Sequence, residues 1–364
     1  MKRILPYLLG IMLVIVGVIC FWHVRPQGIQ EQNRIKVGLL LNGPADDKSW
    51  GQSHYDGVRL AAKELQLELM LAENVAENKD SRKTIDHMIK QGCKAIIATS
   101  YGYGEVMKQA AKDYPEVSFL HATGLDYSKN LTSFFGRMYQ VRYLSGIVAG
   151  LHSKSGVLGY VAAMDIPEVV RGINAFTLGV RSVAPQAKVY VKYVNSWNDD
   201  KLTAQATHEL INKYYQIDVL TMHSNSLEPL KIAERRNIGG IGYNYDNAKL
   251  FPRTYLTAAV WHWENVYRSM LRDCLQGGYT GGYYWFGIEK NVAGLAPFTR
   301  NIHADNREAV TAARRRLEKE AFDVFYGPVY DNKGQLRVKQ GENLSDEQLL
   351  NDFRWYVEGV VVDE

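Results

Sequence analysis

KVGLLLNGPADDKSWGQSHYDGVRLA, residues 36–61, compresses a strand, a polar loop and the start of a helix into one unit. The apolar run over 37–41 predicts a strand buried on both faces, and Asn42, Gly43 and Pro44 end it. Asp46, Asp47 and Ser49 then supply helix-start chemistry. Trp50 comes next, beyond the strand's carboxyl end, which is where open α/β sheets bind ligands. With Asn42, Asp47, Gln52 and His54 around it, the indole offers a flat apolar surface rimmed by hydrogen-bonding groups. That suits a small planar polar molecule, while a core or hinge aromatic is the competing reading.

The same alternation runs on from this unit. Strands are expected over 67–73, 94–99 and 117–122, with helices over 81–91 and 105–113, the βαβα signature of a parallel sheet covered on both faces. A long helix over 139–153 carries Gly146 and Gly150, which suggest close packing. The pattern then restarts, with strands over 157–162, 188–194, 219–223, 239–243 and 256–260 and helices over 169–183, 202–214 and 227–236. The fold class is therefore α/β: two doubly wound, Rossmann-like lobes in tandem, their strand ends facing across a cleft. The expected divisions are a membrane segment at 1–24, a linker at 25–34, an N-terminal lobe at 35–154 and a C-terminal lobe at 155–260. Residues 261–364 are expected to supply a crossover helix and segments that complete both lobes.

At 364 residues, 46% hydrophobic and 23% charged, the chain has room for two such lobes. A net charge of +4, with no basic block longer than Arg314–Arg316, excludes an obvious nucleic-acid partner. That triple arginine belongs to a polar amphipathic helix expected over 307–321. Lys2 and Arg3 precede an apolar run at 4–22, long enough to span a bilayer when about 20 residues are needed. By the positive-inside rule the chain beyond Val24 is exported, so an uncleaved anchor with an extracytoplasmic domain is expected. Lipidation at Cys20 is the alternative, although Gly17, Val18 and Ile19 fit a lipobox poorly. Cys93 and Cys274 lie in apolar surroundings and read as unpaired thiols.

The loops that would line the cleft are rich in aromatics and amides after six strands. They include Ser100-Tyr101-Gly102-Tyr103-Gly104, His121-Ala122-Thr123-Gly124, Asn195-Ser196-Trp197-Asn198-Asp199, His223-Ser224-Asn225, Asn244-Tyr245-Asp246-Asn247 and Trp261-His262-Trp263. They point to a stacking slot with a hydrogen-bonding rim. Enzyme signals are weak: there is no nucleophile elbow, no P-loop and no zinc-protease motif, and the nine histidines do not cluster at metal-ligand spacing. Neither a cofactor nor a metal is expected. Asp46-Asp47 and Asp199-Asp200 read as loop and helix-cap residues, not as catalytic pairs. The glycosylation-like triplets at Asn130 and Asn343 read as chance.

From 36 to about 361 the chain resembles the basic-membrane-protein family of ABC-transporter substrate-binding proteins, the purine-nucleoside receptor type. The matching residues begin with Gly43-Pro44, Asp47, Trp50, His54 and Gly57, then His121-Ala122-Thr123-Gly124 and the run from Gly136 to Gly146. They continue with Gly159 to Ala163, Ile166 to Phe176, Val194 to Trp197, Ile241 to Asp246 and Phe322 to Pro328. The resemblance implies a type I periplasmic-binding fold that closes on a purine base or nucleoside and delivers it to permease subunits. It implies stacking by Trp50 and Trp197, base-edge bonds from Asp246 and Asn244, and walls from Tyr101, Tyr103, Arg137 and Trp261. Nucleoside-binding members carry a phenylalanine-asparagine pair, an aspartate and a lysine where this chain has Trp50-Gly51, Thr123-Gly124 and Trp261-His262. A free base such as adenine or guanine is therefore favoured. A monomer is expected; a membrane-anchored purine sensor is the rival reading, and a purine nucleosidase a third.

Overall fold

The computed structural model describes residues 34–319 and 322–363. The expected membrane segment, nearly all of the linker and Cys20 lie outside the described residues, among which no helix is long and apolar enough to cross a membrane.

The first sheet contains β1 (Lys36–Leu40), β2 (Glu68–Ala72), β3 (Cys93–Ala98), β4 (Ser118–Ala122), β5 (Leu131–Gly136) and β11 (Tyr283–Phe286), in the order β11-β5-β4-β3-β1-β2. All five pairings are parallel, with Val37 opposite both Leu69 and Ala95. The second contains β6 (Val157–Ala162), β7 (Lys188–Tyr193), β8 (Val219–His223), β9 (Gly239–Asn244), β10 (Tyr255–Trp261), β12 (Ala293–Leu295) and β15 (Val360–Asp363). Their order is β12-β10-β9-β8-β6-β7-β15, and only β12 runs antiparallel, while β13 (Val329–Tyr330) and β14 (Leu336–Val338) form a separate antiparallel pair. The two sheets thus repeat one winding, and the order reverses beside β1 in one and beside β6 in the other. Central strands such as β9 and β10 are buried along their whole length, as continuous apolar runs in parallel sheets require.

Helices α1 (Trp50–Glu64), α2 (Ser81–Lys90) and α3 (Gly104–Asp113) flank the first sheet. The second is flanked by α4 (Met138–His152), α5 (Pro167–Val183), α6 (Asp200–Lys213) and α7 (Glu228–Arg236). Further on, α8 (Trp263–Leu275) packs on α1, α9 (Ala304–Leu317) on α4, and α10 (Asp346–Asn351) on α5. The side chains under α2 and α3 form one core cluster and those under α6 and α7 another, whereas the faces under α1, α4, α5 and α8 share a third that spans both lobes.

The chain passes between sheets after β5, after β10 and between β11 and β12. The first passage falls at Gly136, earlier than the boundary expected at 154, because α4 packs along α5 instead of on the first sheet. A Cβ on Gly146 would meet the carbonyl oxygen of Phe176, and one on Gly179 would meet that of Tyr143, so bare backbones face each other at this crossing. Strand β5 and the edge strands β11, β12 and β15 are additions to the sequence reading. The Tyr101-Gly102-Tyr103-Gly104 stretch, expected among the loops lining the cleft, is a tight turn of 3₁₀-helix over Tyr101–Tyr103 that runs into α3.

Candidate functional site

Asp47 organises the start of α1. Its carboxylate accepts from the backbone N–H groups of Ser49, Gly51 and Gln52 at 2.8–2.9 Å, filling donors that a helix start leaves open. Trp50, the first residue of α1, is half-buried, and its indole N–H donates to the carbonyl of Thr99 at 2.7 Å. Both ends of that bond lie at the carboxyl ends of β1 and β3, where the winding reverses.

A stack of three rings stands against Trp50. His54 lies on Trp263 (centroids 4.5 Å apart, planes at 15°) and Trp263 on Trp261 (4.4 Å, 16°). Trp50 meets all three nearly edge-on, at 4.2–6.0 Å, and Phe135 leans on Trp261 at 5.1 Å. This arrangement exists because the second passage between lobes, Trp261-His262-Trp263, crosses directly over the first: a Cβ on Gly136 would strike the ring of Trp261. His54 Nδ1 pairs with the Tyr267 hydroxyl at 2.6 Å, and burial holds its imidazole well below the usual pKa.

The lobes are drawn together by hydrogen bonds between α1 and the loops after β8 and β9. Ser49 Oγ donates to Asn225 Oδ1 at 3.3 Å, Gln52 Nε2 to the Tyr245 hydroxyl at 3.1 Å, and that hydroxyl to Asp56 at 3.1 Å. Asn247 Nδ2 donates to the carbonyl of Lys48 at 3.0 Å. This is a closed arrangement. Inside it, Phe135, Arg142, Glu168, Arg171 and His223 line a cavity too narrow to admit a water molecule.

His223 receives the Tyr160 hydroxyl at Nδ1 (2.9 Å) and approaches Glu168 with Nε2 (3.2 Å), the geometry of a neutral imidazole protonated at Nε2. Burial, reinforced by the charge of Arg142, lowers its pKa to about 4. Burial works to raise the pKa of Glu168, but His223, Arg171 and Arg142 outweigh it and keep the carboxyl ionised. Fully buried Arg142 donates through Nη1 to the Met222 carbonyl at 2.9 Å, while its Nε and Nη2 make no hydrogen bond. Ser224 Oγ, also buried, makes none either.

Three of the residues singled out in the sequence stand at this cleft: Trp50, Trp261 and Trp197, the last with its ring 6.1 Å from that of His223. Asn244 is there too, but it is spent on protein partners: Nδ2 donates to Ser49 Oγ and Asn225 Oδ1, and Oδ1 accepts from the Trp261 indole. Asp246 is exposed and caps its own turn through the N–H of Ala248. Tyr103 is fully buried and donates to the Val75 carbonyl, while Tyr101 beside it is exposed. Asn42 bonds Glu77 at 2.6 Å. Arg137 braces the first passage, forked onto Asp346 at 2.8 and 2.6 Å and resting 4.1 Å from the Trp285 ring. Arg171 and Asn174 hold the carbonyls of Leu349 and Trp355, a bracing role for the C-terminal segments.

The sequence profile of the family described as Bmp, "ABC transporter substrate-binding protein PnrA-like", matches residues 34–323. The chain belongs to this PnrA-like family. A purine-binding protein of Brucella abortus is 34% identical over 331 residues, 90% of this chain and 93% of the relative. A putative ABC transporter glucose-binding protein of Haloferax volcanii is 31% identical over 92% of this chain and 82% of its own. Among solved structures, a transcriptional activator of the comK gene from Bacillus halodurans superposes with a TM-score of 0.70 at 23% identity, covering 79% of this chain and 99% of that one.

The PnrA-like family is one of substrate-binding proteins of ABC transporters. Among the described residues no group of His, Cys, Asp and Glu could hold a metal ion, and Cys93 and Cys274 are free thiols raised to about 11 by burial. A surface crevice of about 390 Å³ between α8 and β11 is larger than the cleft cavity but shares no residue with it. Phe135, Arg142 and Glu168 are not among the candidate site residues of the sequence, although Arg142 and Glu168 fall within runs that resemble the family and Trp263 within a loop expected to line the cleft; Phe135 lies on β5, a strand absent from the sequence reading.

Proposed function

We propose that this chain is an extracytoplasmic receptor for a purine base and hands it to the permease of an ABC transporter as its lobes open. The observation that carries the reading is the aromatic clustering where the lobes meet: Trp50 packs with Phe135 and Trp261, and Trp197 stands beside His223, with Phe135 and His223 lining the cavity. Aromatic rings that separate as the lobes open offer flat apolar faces on which a planar base can stack as they close again. The Brucella relative, whose name says that it binds purines, supports this class; the Haloferax relative, named for glucose, is the competing assignment. Asn244 then acts by fixing Trp261, and Tyr101 by standing at the exposed rim; Asn42, Arg137, Tyr103 and Asp246 support the loops around the slot.

Tryptophan-fluorescence titration with adenine, guanine, hypoxanthine, xanthine and D-glucose tests this. Base stacking contributes about 1–3 kcal/mol per ring, so Trp50→Ala and Trp197→Ala should each weaken purine binding by roughly ten- to a hundredfold. Saturation by glucose with no response to any purine would overturn the reading. The rival role is to report the ligand to a regulatory partner instead of a permease. Loss of purine uptake on deleting the gene separates transport from sensing.

A further inference from the structure

Arg142 is completely buried on α4, lines the cleft cavity, and has two N–H groups, Nε and Nη2, without a hydrogen-bond partner. These two are not an arbitrary pair. They form one side of the guanidinium fork, coplanar and parallel, the side that pairs with two adjacent acceptors. The third nitrogen, Nη1, is held by the Met222 carbonyl at 2.9 Å, and the guanidinium carbon sits 4.0 Å from the ring centroid of Tyr243. The fork is therefore fixed in place before any ligand arrives. Its neighbours around the cavity do not fill it: Glu168 is engaged by His223, and Arg171 is engaged by the Leu349 carbonyl. A buried cation with its best pair of donors empty is costly unless something completes it.

We infer that the Nε–H and Nη2–H of Arg142 receive two adjacent acceptors of the ligand, and that the purine is a 6-oxopurine, guanine, hypoxanthine or xanthine. O6 and N7 of such a base present two acceptors side by side, the edge to which arginine binds in a bidentate manner. Adenine sets an amino donor beside N7 and would oppose one N–H with another. The cavity widens to take the base as the lobes part and close again, and the carboxylate of Glu168 on its wall then accepts from a ring N–H. The inference rests on the purine reading above and moves edge recognition from Asn244 and Asp246, whose polar atoms are committed elsewhere, to Arg142 and Glu168.

Equilibrium dialysis of the full chain, refolded from denaturant to strip bound ligand, tests it with hypoxanthine, guanine, xanthine, adenine and D-glucose. Hypoxanthine and guanine should bind at least about tenfold more tightly than adenine, and Arg142→Met should erase that preference by weakening the 6-oxopurines alone. Should Arg142→Met fail to fold for want of its bond to Met222, Arg142→Lys keeps a donor for that carbonyl but has no fork, and should lose the preference equally. Circular dichroism melts confirm folding of either variant. Adenine binding as tightly as hypoxanthine, or a preference that survives in the folded variant, would overturn the inference while leaving the purine receptor standing. Binding of glucose and of no purine would overturn both.

Discussion

His223 shows how much one side chain contributes at the meeting of the lobes. It is 1% exposed, and burial lowers its pKa to about 4 from the 6.5 of a free imidazole. The native state therefore favours the neutral ring. Its contribution to stability is complete above pH 6.5 and is lost as pH falls from 6.5 toward 4, by an amount on the order of 3 kcal/mol. Urea unfolding at pH 7.5 and 4.5 should show that loss, and His223→Asn should reduce the difference between the two. Tyr103 makes the opposite case. Its buried hydroxyl donates to the carbonyl of Val75 in the loop after β2, so Tyr103→Phe should cost about 1 kcal/mol of stability, read by thermal melting, and leave purine affinity little changed. Trp50, Trp197 and Trp261 were legible as cleft candidates because each stands at or just beyond a strand's carboxyl end, although a core or hinge role for Trp50 was open. The sequence could not place Tyr103 or Asp246, since a tyrosine or aspartate in a polar loop looks alike whether it faces a ligand, the core or its own turn. Arg142 stood out only as one residue of a family-like run, since an arginine inside a helix reads as a solvated charge until the packing around it is known.

At the scale of elements, the alternating βα pattern was legible because parallel strands buried on both faces form unbroken apolar runs, as in β3, β6 and β8. Their predicted bounds fall within a residue or two of those observed. The strands that escaped are set by partners far along the chain. β11 reads YYWF, a short and only partly buried edge that exists because β5 offers it an open side; β15 depends in the same way on β7. Asn130, which precedes β5 and resembles a glycosylation site, turns its amide onto the carbonyls of Ala111, Tyr114 and Val117. The crossing of α4 over α5 is the element contact most sensitive to volume. Gly146→Val would push side-chain carbons into the Phe176 carbonyl and should destabilise the chain by roughly 1–3 kcal/mol or more, measured by denaturant unfolding. Ligand affinity in the variant that remains folded should change little, because the glycine lies away from the cavity lining.

For the whole molecule, one core cluster extends through both lobes beneath α1, α4, α5 and α8, while the cleft side is held by a few polar bonds such as Ser49 to Asn225 and Tyr245 to Asp56. Apolar packing at the passages and sparse hydrogen bonds at the mouth are the ingredients of a hinge: the first resists separation and the second yields to it. A ligand that binds only the closed form stabilises it by about 2.7 kcal/mol at a hundred times its dissociation constant. The central claim, that this closure is made around a purine base, is tested most directly by isothermal titration calorimetry of ligand-stripped protein against purine bases, their nucleosides and D-glucose. One purine base should bind per chain, with no heat from glucose and binding abolished or strongly weakened in Trp50→Ala. Saturable heat from glucose, with none from any purine, would contradict it.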